Sequence, residues 1–305
     1  MADTEAFRSL VREEGARLYR DLPWRRTRDA YAIWISEVML QQTQVARVEA
    51  RWGSWMERFP TVFALAAASQ AEVLEAWQGM GYNRRALALK AAAQALVAEH
   101  GGEVPQDAAL LTALPGIGAA TAQGIRSFAF DLPGVYLETN VRAVYLHHYF
   151  PDATKVPDRE LVALVEAGCP AAPGSFGGSA ADPGRYAVPQ DGDDTPRAWY
   201  YALLDYGAHL KKTNPNPSRR SSTYARQSAF EGSRRQKRAA LVRILLAARG
   251  SAPQGLTLET LAQGLSEAEL AAGRAAVDPQ AVASIMEDLA REGFCTLEGG
   301  LWRIA

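Results

Sequence analysis

An all-α fold is predicted for this chain, with a small β-hairpin at its C-terminal end, and three observations predict it. Apolar residues recur at helical spacing through most of the 305 residues. Proline and glycine punctuate the helical runs at short intervals. Sustained alternation of apolar and polar residues appears near the end, where Phe294 to Glu298 and Leu301 to Ile304 flank Gly299-Gly300.

The elements follow in order. Phe7 to Leu22 reads as an amphipathic helix that stops at the turn Leu22-Pro23-Trp24-Arg25, because proline fixes its own φ and disfavours helix before it. Tyr31 to Val45 is a helix whose Ile33, Trp34, Val38 and Leu40 form a core-facing set. Helical runs continue through Val62 to Trp77, Asn83 to His100, Ala108 to Leu114 and Ala119 to Phe130. After a short strand-like run at Gly134 to Leu137 come helices at Val141 to Tyr149 and Arg159 to Glu166. Residues 171–196 are rich in Gly, Pro, Ala, Ser and Asp and aperiodic, which predicts a flexible insertion. An apolar helix resumes at Trp199 to Leu210. Helices at Arg238 to Ala248, Thr257 to Leu265 and Pro279 to Glu292 then precede the hairpin, the pattern of a winged helix that binds either DNA or a protein partner. Two domains are expected, 1–235 and 236–305.

Composition narrows the function. With 48% apolar residues a sizeable core is available, and no apolar run is long enough to span a membrane. Asp3, Glu5 and Arg8 break up the N-terminus, so no signal peptide is expected, and a soluble, cytoplasmic, nucleoid-associated monomer without a membrane partner is. Cys169 and Cys295 are too few and too far apart for a disulfide framework or a cysteine metal site. The formal net charge of −1 argues against indiscriminate coating of nucleic acid. Basic residues nevertheless crowd from Lys211 and Lys212 through Arg219, Arg220, Arg226, Arg234, Arg235, Lys237, Arg238 and Arg243, either a solvated face or a phosphate-facing one.

Four places carry chemistry. In Leu114-Pro115-Gly116-Ile117-Gly118 two glycines allow a tight turn that opens into a helix, leaving free amides at a positive dipole end. That is a phosphate site or a plain helical corner. Glu138 follows an apolar run, where a carboxylate is costly without a partner or a task. Glu37 lies among the apolar residues of its helix, and there it either completes a buried hydrogen-bond network or has its pKa raised for proton donation. Tyr82, flanked by Gly79 and Gly81, is a packed corner or an exposed aromatic wedge.

Taken together, the Leu-Pro-Gly-Ile-Gly hairpin and the carboxylate about twenty residues after it resemble the helix–hairpin–helix DNA glycosylases, the superfamily of endonuclease III and the adenine DNA glycosylases. The resemblance covers roughly Phe7 to Leu210. Pro23-Trp24-Arg25 and Ser36-Glu37-Val38-Met39-Leu40-Gln41-Gln42-Thr43 are similar to the signature of the adenine branch. It implies a two-lobed fold whose partner is double-stranded DNA with a damaged or mismatched base. The base is flipped out of the stack, and adenine leaves poorly unless protonated. By this resemblance Glu37 protonates the adenine ring, Glu138 stabilises the sugar cation and Asn140 matches the motif's asparagine. Gln41, Gln42 and Tyr82 enter the DNA; Gly116, Gly118, Lys211, Lys212, Arg219 and Arg220 meet its backbone; Arg25 and Ala120 line the base pocket.

The chain also departs from those relatives. Most of them hold an iron–sulfur cluster on four cysteines, whose places here fall at Lys211, Ser218, Ser221 and Gln227. None supplies a thiolate, so no cluster and no side-chain metal site are expected, and residues 211–227 become a basic replacement segment. A monovalent ion on the hairpin carbonyls leaves no side-chain signature and stays open. Glu138 stands where the family carries aspartate, a displacement of about one methylene that threatens activity. Ala120 replaces the lysine with which bifunctional relatives form a Schiff base, so a monofunctional enzyme is expected. The C-terminal part does not resemble the domain with which adenine glycosylases inspect 8-oxoguanine. Three outcomes are therefore carried: a glycosylase for adenine, one for another modified or mismatched base, and an inactive DNA-binding or lesion-sensing protein.

Overall fold

The computed structural model of the chain describes residues 4–172, 194–225 and 229–305. The expected insertion at 171–196 lies mostly outside them, as does Gln227. In chain order the helices are α1 (Thr4–Leu18), α2 (Ala30–Leu40), α3 (Val45–Arg58), α4 (Val62–Ala67), α5 (Gln70–Ala76), α6 (Arg84–His100) and α7 (Ala108–Ala113). Next are α8 (Ala119–Phe130), α9 (Thr139–Tyr149), α10 (Asp158–Gly168), α11 (Pro196–Thr213), α12 (Arg234–Ala248), α13 (Leu258–Ala271) and α14 (Pro279–Arg291). A hairpin, β1 (Cys295–Glu298) and β2 (Leu301–Ile304), pairs antiparallel with Thr296 opposite Arg303.

The chain forms two compact units, Met1–Val62 with Ala95–Arg226, and Phe63–Gln94 with Gln227–Ala305. The second boundary falls close to the expected one at 235, but the structure also assigns Phe63–Gln94 to the C-terminal unit, which linear reading did not anticipate. Polar contacts join the two pieces: Gln70 Nε2 donates to the Gly293 carbonyl at 2.7 Å, Arg84 Nε to Glu292 Oε2 at 2.7 Å and Arg249 Nη1 to Glu75 Oε1 at 2.6 Å.

In the first unit the core gathers Val11, Ile33, Phe128, Val144, Tyr145, Leu161, Trp199, Tyr200 and Leu203. Helix α2 is apolar nearly all round and is buried on most of its surface, with Asp29 capping its start by accepting from the Tyr31 amide. α9 and α11 approach so closely that a Cβ at Gly207 would lie 2.2 Å from the Asn140 carbonyl oxygen. A buried ion pair locks this unit: Arg25 Nη1 and Nη2 reach Asp205 Oδ2 and Oδ1 at 2.7 and 2.8 Å, and the guanidinium lies 4.3 Å from the Tyr201 ring centroid. Arg25 is buried and engaged by Asp205, and its charge also reaches Glu37.

Other expectations are corrected locally. The helix expected over Tyr31 to Val45 ends at Leu40, because Gln42 takes a left-handed backbone (φ 53). A separate α3 follows, whose Val48 and Trp55 face inward on helical spacing. The segment Gly134 to Leu137 is not a strand; it is held by Tyr200, whose hydroxyl accepts from the Tyr136 amide at 3.2 Å and donates to the Gly134 carbonyl. The run Val62 to Trp77 is two helices, since Ser69 and Glu72 form a reciprocal capping box that starts α5 afresh. In the C-terminal unit α12, α13 and α14 bury Leu241, Leu245, Leu261, Leu265, Ile285 and Met286 beside Phe294 and Trp302.

Candidate active site

The site forms where α2, α8, the 131–138 segment and α9 meet in the first unit. Glu37 sits near the end of α2, half-buried among buried neighbours. Its Oε2 accepts a hydrogen bond from the Tyr136 hydroxyl at 2.9 Å. On its other side is α8, and Gly124 makes the room: a Cβ there would lie 2.3 Å from Glu37 Oε2 and 3.0 Å from Tyr136 Cε2. A glycine inside a helix costs about 0.5–1 kcal/mol relative to alanine, a cost offset here by space for a carboxylate. Aromatic edges fix Tyr136, with Phe128 and Tyr200 each 5.3 Å away between centroids.

This environment sets the protonation of Glu37. Burial pushes its pKa up from 4.5 to about 7, opposed by the Tyr136 hydrogen bond and, more weakly, by Arg25, while the charge on Glu138 adds to the rise. Tyr136 itself is held well above the usual phenol value by burial and by Glu37, so it remains the donor. Near neutral pH, Glu37 can thus hold a proton and release it.

Glu138 is the N-cap of α9. Its Oε1 accepts from the Asn140 and Val141 amides at 2.5 and 3.0 Å, so the carboxylate lies at the positive end of the helix. Burial raises its pKa, and the two amide bonds, Lys211 and the Asn140 side chain all oppose the rise. Lys211, one turn beyond Gly207 on α11, is half-buried and has its own pKa lowered by burial, with Glu138 opposing.

The remaining candidates divide. Gln41 is half-buried and its Nε2 donates to Thr121 Oγ1 on α8 at 3.0 Å, tying the end of α2 to the hairpin helix. Gln42 is exposed on its left-handed backbone. Gly116 has a φ of 76, the turn that a Cβ would crowd, and exposed Gly118 is the N-cap of α8. Ala120 is exposed in the first turn of that helix. Tyr82 lies in the second unit at a φ of 47, directly after Gly81 (φ 73) and three residues after Gly79 (φ 84). Lys212 and Arg219 are exposed, whereas Arg220 is partly structural, donating from Nη1 to the Leu146 carbonyl at 3.3 Å. The expected cationic face does not extend intact into α12, where Arg234 pairs with Asp288 at 2.6 Å and Arg238 with Glu292.

Residues 211–225 do not fit an iron–sulfur cluster. Ser218 Oγ donates to the Thr139 carbonyl at 3.3 Å and Ser221 Oγ shares a 2.9 Å hydrogen bond with Thr223. The Val156 amide donates to the Arg220 carbonyl at 2.7 Å and the Ser222 amide to the Val156 carbonyl at 2.9 Å. Hydrogen bonds thus close the turn Pro217–Arg220 against the start of α9. Among the described residues, no group of three or more His, Cys, Asp and Glu is placed to hold a metal ion.

Linear reading missed Tyr136, Gly124 and Asp205. The helix-interior glycine was a visible signal; the partners of Tyr136 and Asp205 lie 99 and 180 residues away in sequence and left none.

Residues 35–167 match the HhH-GPD superfamily base excision DNA repair protein family. The particular relatives are adenine DNA glycosylases. That of Mycolicibacterium smegmatis is 50% identical over 126 residues, covering 41% of this chain and 43% of the relative. Those of Rattus norvegicus and Homo sapiens are 44% identical over 150 residues and 42% identical over 153, covering 46% and 47% of this chain but 29% and 28% of theirs. The matches therefore span less than half the length of these relatives. Among solved structures, a thermostable thymine-DNA glycosylase aligns with a TM-score of 0.54 at 22% identity, over 67% of this chain and 86% of that one. A non-covalent endonuclease III–DNA complex aligns at 0.50 and 20% identity, over 70% and 87%. At such identities they show the fold.

Proposed function

We propose that the protein is a monofunctional DNA glycosylase that removes adenine from mismatched or damaged base pairs in double-stranded DNA. The observation that carries this reading is Glu37, a carboxyl seated against Gly124 and hydrogen-bonded by Tyr136, with a pKa of about 7. It lies within residues 35–167, which match the HhH-GPD base excision DNA repair family.

The chemistry follows from charge. Glu37 gives its proton to a ring nitrogen of the flipped adenine, and the C1′–N bond breaks with its electron pair passing to the base. Positive charge then builds on the sugar, as in glycoside hydrolysis, and the Glu138 carboxylate stabilises it from its fixed place on α9. Water adds to C1′ and gives up a proton, leaving free adenine and an abasic site. Ala120 offers no amine for a Schiff base, so the strand stays intact. Gln42 and Tyr82 fill the emptied stack, while the hairpin at Gly116-Ile117-Gly118 with Lys212 and Arg219 holds phosphates. No step needs an iron–sulfur cluster or an ion at the hairpin.

The test is single-turnover excision from labelled duplexes carrying A opposite 8-oxoguanine, A opposite G, T or U opposite G, and hypoxanthine, each with and without alkali. Adenine release revealed as strand cleavage only after alkali is expected. Release of another base from this panel would move the substrate and keep the mechanism class. Strand cleavage without alkali would refute the monofunctional reading. One observation favours a second reading, a DNA-binding protein without turnover: Glu138 uses an oxygen to cap its own helix and stands where the family has aspartate. Salt-sensitive duplex binding without release of any base would select it.

A further inference from the structure

The loop that carries Tyr82 is held from two sides within the second unit. From its own segment, Arg85 Nη2 donates to the Met80 and Gly81 carbonyls at 3.2 and 3.1 Å, and its guanidinium lies 5.1 Å from the Trp77 ring and 5.6 Å from the Tyr82 ring. From the C-terminal module, Arg235 in the first turn of α12 donates from Nη1 to the Tyr82 hydroxyl at 2.8 Å, with its guanidinium 5.1 Å from the same ring. Phe230 braces Arg235 at 5.4 Å. A tyrosine at a φ of 47 is uncommon, because a side chain crowds the following carbonyl in the left-handed region. Such a conformation persists only where its surroundings impose it. Here one of the imposing groups comes from more than 150 residues away in sequence, at a separation of 153.

The module's third helix argues against groove reading. In helix-turn-helix proteins the recognition helix presents donors and cations to the DNA. α14 carries Glu287 and Asp288 instead, with Glu292 at its C-cap, and its one arginine, Arg291, pairs with Asp288 at 2.8 Å. Asp288 and Glu292 are further engaged by Arg234, Arg238 and, from the Tyr82 segment, Arg84. The acidic C-terminal part of the helix is therefore engaged by this chain's own cations.

We propose that the C-terminal three-helix module serves as a buttress for the Tyr82 loop, with Arg235 as the positioning residue that keeps Tyr82 set for insertion into DNA. The insertion step rests on the glycosylase reading above; the holding of the loop does not. Two measurements on the full chain test it, using Arg235→Gln, Arg235→Lys, Tyr82→Phe and the Arg235→Gln/Tyr82→Phe double variant.

The first is hydrogen–deuterium exchange in DNA-free protein. Residues 78–86 should exchange about fivefold faster in Arg235→Gln, the factor that corresponds to about 1 kcal/mol, with partial recovery in Arg235→Lys, which keeps a cation over the ring. The second is binding to a duplex containing a tetrahydrofuran abasic site against an intact duplex. Arg235→Gln and Tyr82→Phe should each reduce the preference for the abasic duplex by about fivefold, and the double variant should lose little more, because both remove one coupled contact. The slope of log affinity against log salt should stay unchanged. Unaltered exchange in Arg235→Gln would overturn the proposal, as would additive losses. A salt slope smaller by about one, with equal weakening on both duplexes, would make Arg235 a phosphate contact and overturn it too. Wild-type protein that does not distinguish the two duplexes would refute insertion by Tyr82 and the reading it rests on, while the exchange result still decides whether Arg235 holds the loop.

Discussion

Replacing Glu37 by glutamine should abolish base excision and at the same time stabilise the protein, but only at the alkaline end of its range. The carboxyl is raised from 4.5 to about 7 by burial first, so the folded state favours its protonated form. A group of this kind contributes its stability below the unfolded pKa, and that contribution is lost as pH rises through the folded value. The loss therefore runs from about pH 4.5 to about pH 7. At about 1.4 kcal/mol per unit the shift sets an upper bound of about 3.5 kcal/mol, and the solvent contact that Glu37 retains lowers the expectation to about 1–2. Glutamine keeps an oxygen for the Tyr136 hydroxyl and never ionises. Urea unfolding of wild type and Glu37→Gln at pH 5 and pH 8 reads the difference directly. The variant should lie within about 0.5 kcal/mol of wild type at pH 5 and exceed it by about 1–2 kcal/mol at pH 8. An equal difference at both pH values would refute the idea that burial controls this carboxyl, and with it the proton-donor role. In wild type the excision rate should fall about tenfold per pH unit above about pH 7.

Three further outcomes are expected. Gly124→Ala puts a Cβ 2.3 Å from Glu37 Oε2, so it should cut single-turnover excision by about 100-fold or more while far-ultraviolet circular dichroism stays unchanged; near-wild-type rates would mean that Glu37 need not sit where it does. Asp205→Ala strands the buried Arg25 guanidinium and should destabilise the fold by about 3–5 kcal/mol in denaturant unfolding, whereas Arg25→Met with Asp205→Leu should recover most of that loss. Glu138→Ala should lose the α9 cap, about 1 kcal/mol of stability, as well as excision. Glu138→Asp restores the shorter side chain: higher activity marks a drifted site, lower activity a site retuned around glutamate.

How much of this was legible depended on the range of the interaction. The hairpin at Gly116 and Gly118, the carboxylates Glu37 and Glu138 and the aromatic Tyr82 stood out because each breaks a local pattern: glycine opening a helix, charge in an apolar run, an aromatic following two glycines. α3 was legible in principle from Val48, Trp52 and Trp55, but the glutamine run before it masked the restart. Gly134 to Leu137 looked like a strand because extended chain has one sequence signature whether or not a second strand pairs with it; here Tyr200 takes that part. Arg25 carried the right motif for a pocket residue, yet its environment is decided by Asp205 on a helix near the other end of the unit. Arg235 read as one more cation in a basic run, and only its approach to Tyr82 separates it from the rest.

The Arg25–Asp205 pair also bears on the order in which the protein is made. Asp205 emerges from the ribosome 180 residues after its partner, and Tyr200, which holds the segment bearing Tyr136, emerges with it. At about 5–20 residues per second the N-terminal two-thirds of the chain waits roughly 10–40 seconds with a guanidinium bound for the interior and no counter-charge. The surroundings of Glu37 are completed late in synthesis, when α11 docks, so a nascent chain cut short before that helix carries Glu37 and Tyr136 without Tyr200 to hold their segment.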